Sequence, residues 1–509
     1  MQEEVVGNRL IAKNATMLYL RMFVTMAISF YTSRIVLKAL GVSDYGIYNV
    51  VGSAIVMIST LTGALGGATS RFLTFALGKK DMENLKTTFS TAFYIHLTLA
   101  ILFVVVAESV GVWFVNTQLV IPEGRMGAAN WVFQAAILST ALGMTQTPYS
   151  ASITSHERMG AFAYIAIVNS VLKLSIAFIV LISAVDHLVL YSILLMILSI
   201  SFRLYYRYYC IKNFEECRLR LIFDKDLFKR MLSFSGWSMV GSLSLMGWQQ
   251  GVNILINRFF GTLINAAVGV AGQVQGILYA FSGNVNVAFR PQIIKSYAIG
   301  DFQRFNYLIG MGSKFSVLIT ILTTVPLYFS IDFLMSIWLD EVPASAPALF
   351  QILIYSNFFN SFNPYLYVGI SASGRIKWRN IMSFFLYSFY LIATYFVLKY
   401  THSYLIAYAF GVLCSPTDTI ICVILLKKLV SEYNVRAFLL KTYLPMTFVA
   451  FVSLGIAWSI SLLDMNSWLR FFSSVLLCSI VVISIVLYGV LDSYSRYILI
   501  NYVKGKIHF

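Results

Sequence analysis

The stretches "TSRFLTFALGKKDMENL" (residues 69–85) and "PQIIKSYAIGDFQRFNY" (residues 291–307) match at an offset of 222. Each begins where the second long apolar run of its half of the chain gives way to a charged turn. Gly41 and Gly261, in the loops after the first run of each half, lie 220 apart. A chain that repeats long apolar runs at this spacing is built from two related halves.

Composition says what those runs are. Of 509 residues, 59% are hydrophobic and 11% charged, against about 25% charged in a soluble domain. A helix of about 20 apolar residues crosses a roughly 30 Å hydrocarbon layer, and fourteen stretches qualify: 11–37, 46–75, 87–113, 130–153, 160–185, 187–210, 231–258, 263–292, 307–331, 345–373, 380–399, 403–427, 440–463 and 468–491. The expected fold is all-α and polytopic. Acidic residues precede the first base, and the first apolar run is longer than a signal-peptide core of about 7 to 15 residues, so no cleaved leader is expected. Five cysteines without metal-ligand spacing read as small apolar residues.

The net charge of +16 has a topological use. Counted with the adjoining span ends, the N-terminus, the even-numbered loops and the tail hold 24 bases and the odd-numbered loops 5. That asymmetry places both termini in the cytoplasm. No basic stretch is interleaved with aromatics on a soluble surface, so nucleic acid is excluded as a partner. The division is then an N-lobe at 1–210, an inter-lobe loop at 211–230, a C-lobe at 231–427, and two further helices with a tail at 428–509. With six helices per half, both halves enter from the same side as a parallel repeat, an arrangement that commonly binds cargo between lobes and rocks.

Charges inside spans are costly and mark candidate sites. Arg21, Lys173 and Lys314 are the central bases, and Arg290 lies just before Pro291, where the helix is expected to end. Arg21 either faces a water-filled lumen or snorkels to headgroups. Lys173 and Lys314 sit among small and polar neighbours that suit a wet wall. Arginine forks and lysine point charges together suit a pyrophosphate and repel a cationic drug. Asp418, beside Pro416 and flanked by Thr417 and Thr419, is a candidate for Na⁺ or H⁺ coupling or for a salt bridge. Polar runs "GWQQGVN" (247–253) and "YSNFFNSFNPYLY" (355–367) fit a hydrated path or sugar contacts. The glycine pairs Gly63/Gly67, Gly247/Gly251 and Gly272/Gly276 predict close helix packing. No phosphate-binding GxxxxGK[ST] occurs, and Asp224-Lys225-Asp226 lacks a surrounding soluble domain, so no enzyme activity or cofactor is expected.

The opening "NRLIAKNATMLYLRMFVTMAISFYTSRIVLKALGVSDYGIYNVVGSAIVMIS" (8–59), with "SRFLTFALGKKD" (70–81) and "IWLDEVP" (337–343), resembles the O-antigen-type polysaccharide-biosynthesis flippases. These belong to the multidrug/oligosaccharidyl-lipid/polysaccharide exporter superfamily. The resemblance implies a six-plus-six-plus-two helix plan in the bacterial inner membrane. Its implied cargo is an undecaprenyl-pyrophosphate-linked oligosaccharide, carried from the inner to the outer leaflet and shared with a polymerase and glycosyltransferases. Arg21 matches the superfamily's lumen bases by helix and depth, with Lys173 and Lys314 as further candidates. A multidrug cation antiporter is the alternative; Glu108 is the one N-lobe acid within a span, near its end, that could serve it. A membrane-embedded polymerase or glycosyltransferase would need a longer catalytic loop.

Overall fold

Apolar runs of this length must satisfy their backbone polar groups internally, and the chain does so with helices alone. A computed structural model describes residues 2–117, 121–122, 124–220, 224–338, 342–491 and 496, and among these no strand occurs. The helices are α1 (residues 2–40), α2 (42–78), α3 (Met82–Thr117), α4 (Met126–Ser155), α5 (Met159–Leu181), α6 (His187–Asn213), α7 (225–260), α8 (262–298), α9 (Phe302–Tyr328), α10 (346–372), α11 (Lys377–Thr401), α12 (Tyr404–Leu429), α13 (Val435–Ser461) and α14 (Ser467–Val490). A short helix, Ile331–Trp338, precedes α10. The chain is an all-α polytopic membrane protein.

The internal repeat is visible in the backbone. Gly41 (φ 72°, ψ 169°) separates α1 from α2, and Gly261 (φ 76°, ψ −168°) separates α7 from α8. Lys80 (φ 55°) and Gly300 (φ 77°) are the left-handed residues that close α2 and α8. Asp81 then caps α3 by accepting from the Asn84 N–H at 3.0 Å, and Asp301 caps α9 by accepting from the Arg304 N–H at 2.9 Å. All three pairs are 220 apart, so the structural register is 220 and the sequence match at 222 is two residues out of step. Further along, left-handed Glu157 and Gly374 follow α4 and α10, and the caps Asp186 and Ser403 open α6 and α12. These last pairs are 217 apart.

Two compact units emerge: Thr16–Met239, and Val240–Phe509 with which Met1–Ala15 group. The division falls inside α7. In the first unit, buried Phe89 meets Tyr149 edge-on at 5.2 Å, and Leu227 and Met231 of early α7 join a small core with Ala92 and Ile95. Residues Glu215 to Arg220 are stitched to this unit. Arg220 donates to Glu83 at 3.0 Å, and Lys86 lies 3.5 Å from Glu215.

In the second unit, close approach depends on glycine, because between membrane helices packing contact replaces the hydrophobic effect. A Cβ at Gly312 would lie 2.4 Å from the Tyr365 ring, and one at Gly251 2.7 Å from Leu391. Among the glycines expected to pack closely, Gly251 does so, whereas a Cβ at Gly63, Gly247, Gly272 or Gly276 would meet nothing within 4 Å. The glycines of α8 bare a wall instead of joining two helices.

Candidate functional site

That bare wall borders a cavity of about 970 Å³ in the second unit. Gly269, Gly272 and Gly276 lie within two turns on one face of α8, so no side chain fills the space before them. Opposite them, two helices are broken. α10 is interrupted between Asn360 and Asn363, just before Pro364, and α12 between Val412 and Cys414, just before Pro416. Proline removes a backbone donor and clashes with the preceding turn, and such breaks are tolerated at membrane depth where they line a cavity. The breaks bring Asn363 and Asp418 together at the wall.

Asp418 is 4% exposed, and its Oδ2 accepts from Arg379 Nη2 at 2.8 Å and from Asn363 Nδ2 at 3.1 Å. Its Oδ1 has no hydrogen-bond partner. Arg379, 8% exposed, also donates from Nε to Cys422 Sγ at 3.0 Å. Thr419 donates to Asn363 Oδ1 at 2.7 Å and so fixes which face that amide offers to Asp418. The rest of the lining is rich in amides and rings: Gln249, Gln250, Asn253, Gln275, Asn357 and Asn360, with Trp248, Tyr279, Tyr367, Tyr387 and Tyr408. Gln275 donates to Asn357 at 3.1 Å. The site presents many neutral hydrogen-bonding groups and one carboxylate whose charge is already matched.

The residues singled out in the sequence fall in different places. Thr417 donates to Leu413 O at 2.7 Å and faces the Tyr390 hydroxyl at 3.2 Å. Asp418 and Thr419 meet through the Asn363 amide, and Thr417 has separate partners. Lys314 is not part of the cavity wall: it is 8% exposed, and its Nζ donates to Val490 O at 3.0 Å, tying α9 to the end of α14. Arg290 does not line the cavity either. Its helix does not end at Pro291 but continues to Ala298, so Arg290 stands eight residues inside it.

In the first unit, the Arg21 guanidinium sits over the Phe162 ring of α5, 5.0 Å from its centroid. Lys173 is exposed on the same helix. It lies eleven residues beyond Phe162, about three turns, which returns it to nearly the same face roughly 16 Å further along. The two bases are thus related through one face of α5. Glu108 lies in a π-helical turn, Ala107–Gly111, and accepts from Gln134 at 2.9 Å. At one end of this unit Arg125 bonds both Asp44, at 2.9 Å through Nε, and Asp186, joining the first turn of α2 to the cap of α6.

Solved structures share this helical fold. A MATE in complex with MaD3S superposes with a TM-score of 0.73 at 12% identity, covering 84% of this chain and 97% of that one. A multidrug resistance MATE family transporter of the MOP superfamily, in an outward-facing conformation, gives 0.69 at 13% identity over 84% and 98%. The chain has the MATE fold. A MOP superfamily transporter from Pyrococcus furiosus, whose binding pocket is of reverse polarity and for which a different function is suggested, gives 0.71 at 11% identity over 85% and 98%. No protein-family model and no curated protein matches the sequence.

On this MATE fold the residue that sequence reasoning missed is Arg379. It stands in "GRIKWRN" (374–380), two residues into α11, where it counts as one more loop base. The signal that could have found it is complementarity, since Asp418 is the one acid of α12 and needs a cation within reach.

Proposed function

We propose that this chain is an alternating-access exporter in a bacterial inner membrane, with both termini cytoplasmic as the 24-to-5 distribution of bases favours. The observation that carries it is the 970 Å³ cavity, lined by amides and aromatic rings, beside two broken helices of a repeated helical fold, an architecture suited to binding a solute at membrane depth. Of the cargo readings, the multidrug antiporter has the support of the neighbours in fold, one of which is a multidrug resistance transporter. Asp418 Oδ1 is the group through which a coupling proton or Na⁺ would act, because Oδ2 is already held by Arg379 and Asn363.

A second reading, export of a lipid-linked oligosaccharide, rests on the seven amides and five aromatic rings of the cavity. Amides pair with sugar hydroxyls, and rings pack on the apolar faces of sugars. Arg21 and Lys173 would then serve the pyrophosphate. Proteoliposomes separate the two. Gradient-driven efflux of ethidium with no leaflet change of a labelled polyprenyl-pyrophosphate oligosaccharide supports the antiporter, and the opposite pattern supports the flippase. Movement of neither substrate under proton, Na⁺ or electrical gradients overturns export of these classes.

A further inference from the structure

A second concavity, about 350 Å³, lies on the side of this unit between α7 and α11. Its origin is a gap between two close contacts. At Gly241 a Cβ would run into Asn380, and at Gly251 one would meet Leu391 at 2.7 Å, so the helices touch at both ends. Between these points, at Gly247, a Cβ would meet nothing within 4 Å. The gap is lined by Val240, Leu243, Phe384 and Leu391 with Ser244 and Ser388. Leu243 is 52% and Phe384 48% exposed, and Phe384 to Leu391 occupy the middle of α11. The groove therefore opens at the depth of hydrocarbon.

Its back wall is the stacked pair Trp248 and Tyr387, with ring centroids 5.8 Å apart and planes 23° from parallel. The same two residues line the polar cavity. One pair of rings thus has amides on one side and an apolar slot on the other, and the Trp248 Nε1–H has no hydrogen-bond partner.

The geometry points to a tail-binding groove: the hydrocarbon chain of an amphiphilic cargo lies between α7 and α11 while its polar head occupies the adjoining cavity, with Trp248 and Tyr387 at the junction. This rests on the reading of the cavity as the cargo site. A bulk phospholipid fits the arrangement poorly, because its head belongs at the membrane surface and this groove adjoins a polar chamber at mid-span. Since bilayer and groove are both apolar, the hydrophobic term largely cancels, and what holds the chain in the groove is close packing against its walls. Bare Gly247 leaves room for the chain.

The test is photolabelling of the full chain in nanodiscs with dodecyl maltoside bearing a diazirine on its tail, followed by peptide mapping. Labels should concentrate at 240–248 and 384–391, be competed by plain dodecyl maltoside and not by maltose, and be lost in Gly247→Leu or Ser388→Leu. Gly455→Leu, at another open position, should keep them. Even labelling of all exposed apolar helices, or labelling of the groove by a diazirine phospholipid that the maltoside fails to displace, overturns the proposal. Cargo export with an unlabelled groove sinks this inference alone, whereas a labelled groove without export of any cargo sinks the transport reading alone.

Discussion

Gly41 and Gly261 turn the chain in the same way, with φ 72° at one and φ 76° at the other and ψ within about 25° of extended at both. That region of backbone space is essentially restricted to glycine. Neither position is crowded, since a Cβ would meet nothing within 4 Å, so substitution tests backbone strain without steric clash. Gly41→Ala and Gly261→Ala should each lose about 1–3 kcal/mol, read as a lower melting midpoint of detergent-purified protein. Midpoints equal to wild type would show that the turns can relax.

The Arg379–Asp418 pair should behave as a buried ion pair. Both residues are at least 90% buried and 2.8 Å apart, so removing one partner strands a charge at a cost of about 3–5 kcal/mol, while replacing both is far closer to neutral. Arg379→Met should therefore reduce folded yield sharply, and Arg379→Met with Asp418→Leu should recover much of it. If Asp418 Oδ1 takes the coupling ion, the double variant stays folded and loses gradient-driven export. Equal yields for the single and double variants would remove the argument for a coupled pair.

The repeat, the helix count and the polar character of the two broken helices were legible in the sequence, because apolar runs, proline and runs of Asn and Gln each act locally. The register of the repeat is not legible in the sequence, for a physical reason. Matching Gly78 to Gly300 sets an offset of 222, yet the structural counterpart of Gly300 is Lys80, a lysine in the left-handed conformation at φ 55°. Pro291 marks a helix end beside Arg290 by its local chemistry, but in a long span the continuing turns outweigh one lost bond and the helix runs on to Ala298. Lys314 and Arg379 have exchanged the roles their positions suggest. The mid-span lysine bonds a carbonyl of the last helix, and the loop-side arginine reaches into the cavity wall. Side-chain reach of this kind is set by tertiary packing, which local pattern does not encode.

Asp186 links stability to pH. Hydrogen bonds from the Arg125 guanidinium, aided by the Leu188 and Val189 N–H groups, hold its carboxyl below the usual aspartate range. A group with a depressed folded-state pKa contributes stability that is complete above its unfolded value, about 3.9, and disappears as pH falls through the lower folded value. Asp186→Asn keeps a helix-capping side chain and removes the charge. It should lower the melting midpoint by the same amount from pH 8 to pH 5, and the difference should close below about pH 4. Because the side chain is 39% exposed, the difference should also shrink with added salt. A gap that persisted undiminished at low pH would assign the effect to capping geometry.

Arg21 and Lys314 should respond oppositely to loss of charge. Lys314→Met removes a donor from Val490 O, which costs about 1–3 kcal/mol when the carbonyl is left unsatisfied, and whatever protein folds should export at the normal rate. Arg21→Gln gives up a guanidinium stacked on Phe162, worth about 0.5–2 kcal/mol, and changes the charge of the face of α5 that Lys173 shares. Its effect on transport carries the sign of the cargo. An anionic, pyrophosphate-linked cargo should move more slowly in Arg21→Gln and more slowly still in Arg21→Glu, whereas a cationic drug should move at least as fast in both. Initial rates in proteoliposomes, normalised to folded protein, read this directly. Unchanged rates for both cargo types would remove Arg21 from the transport path and leave it a packing residue of the first unit.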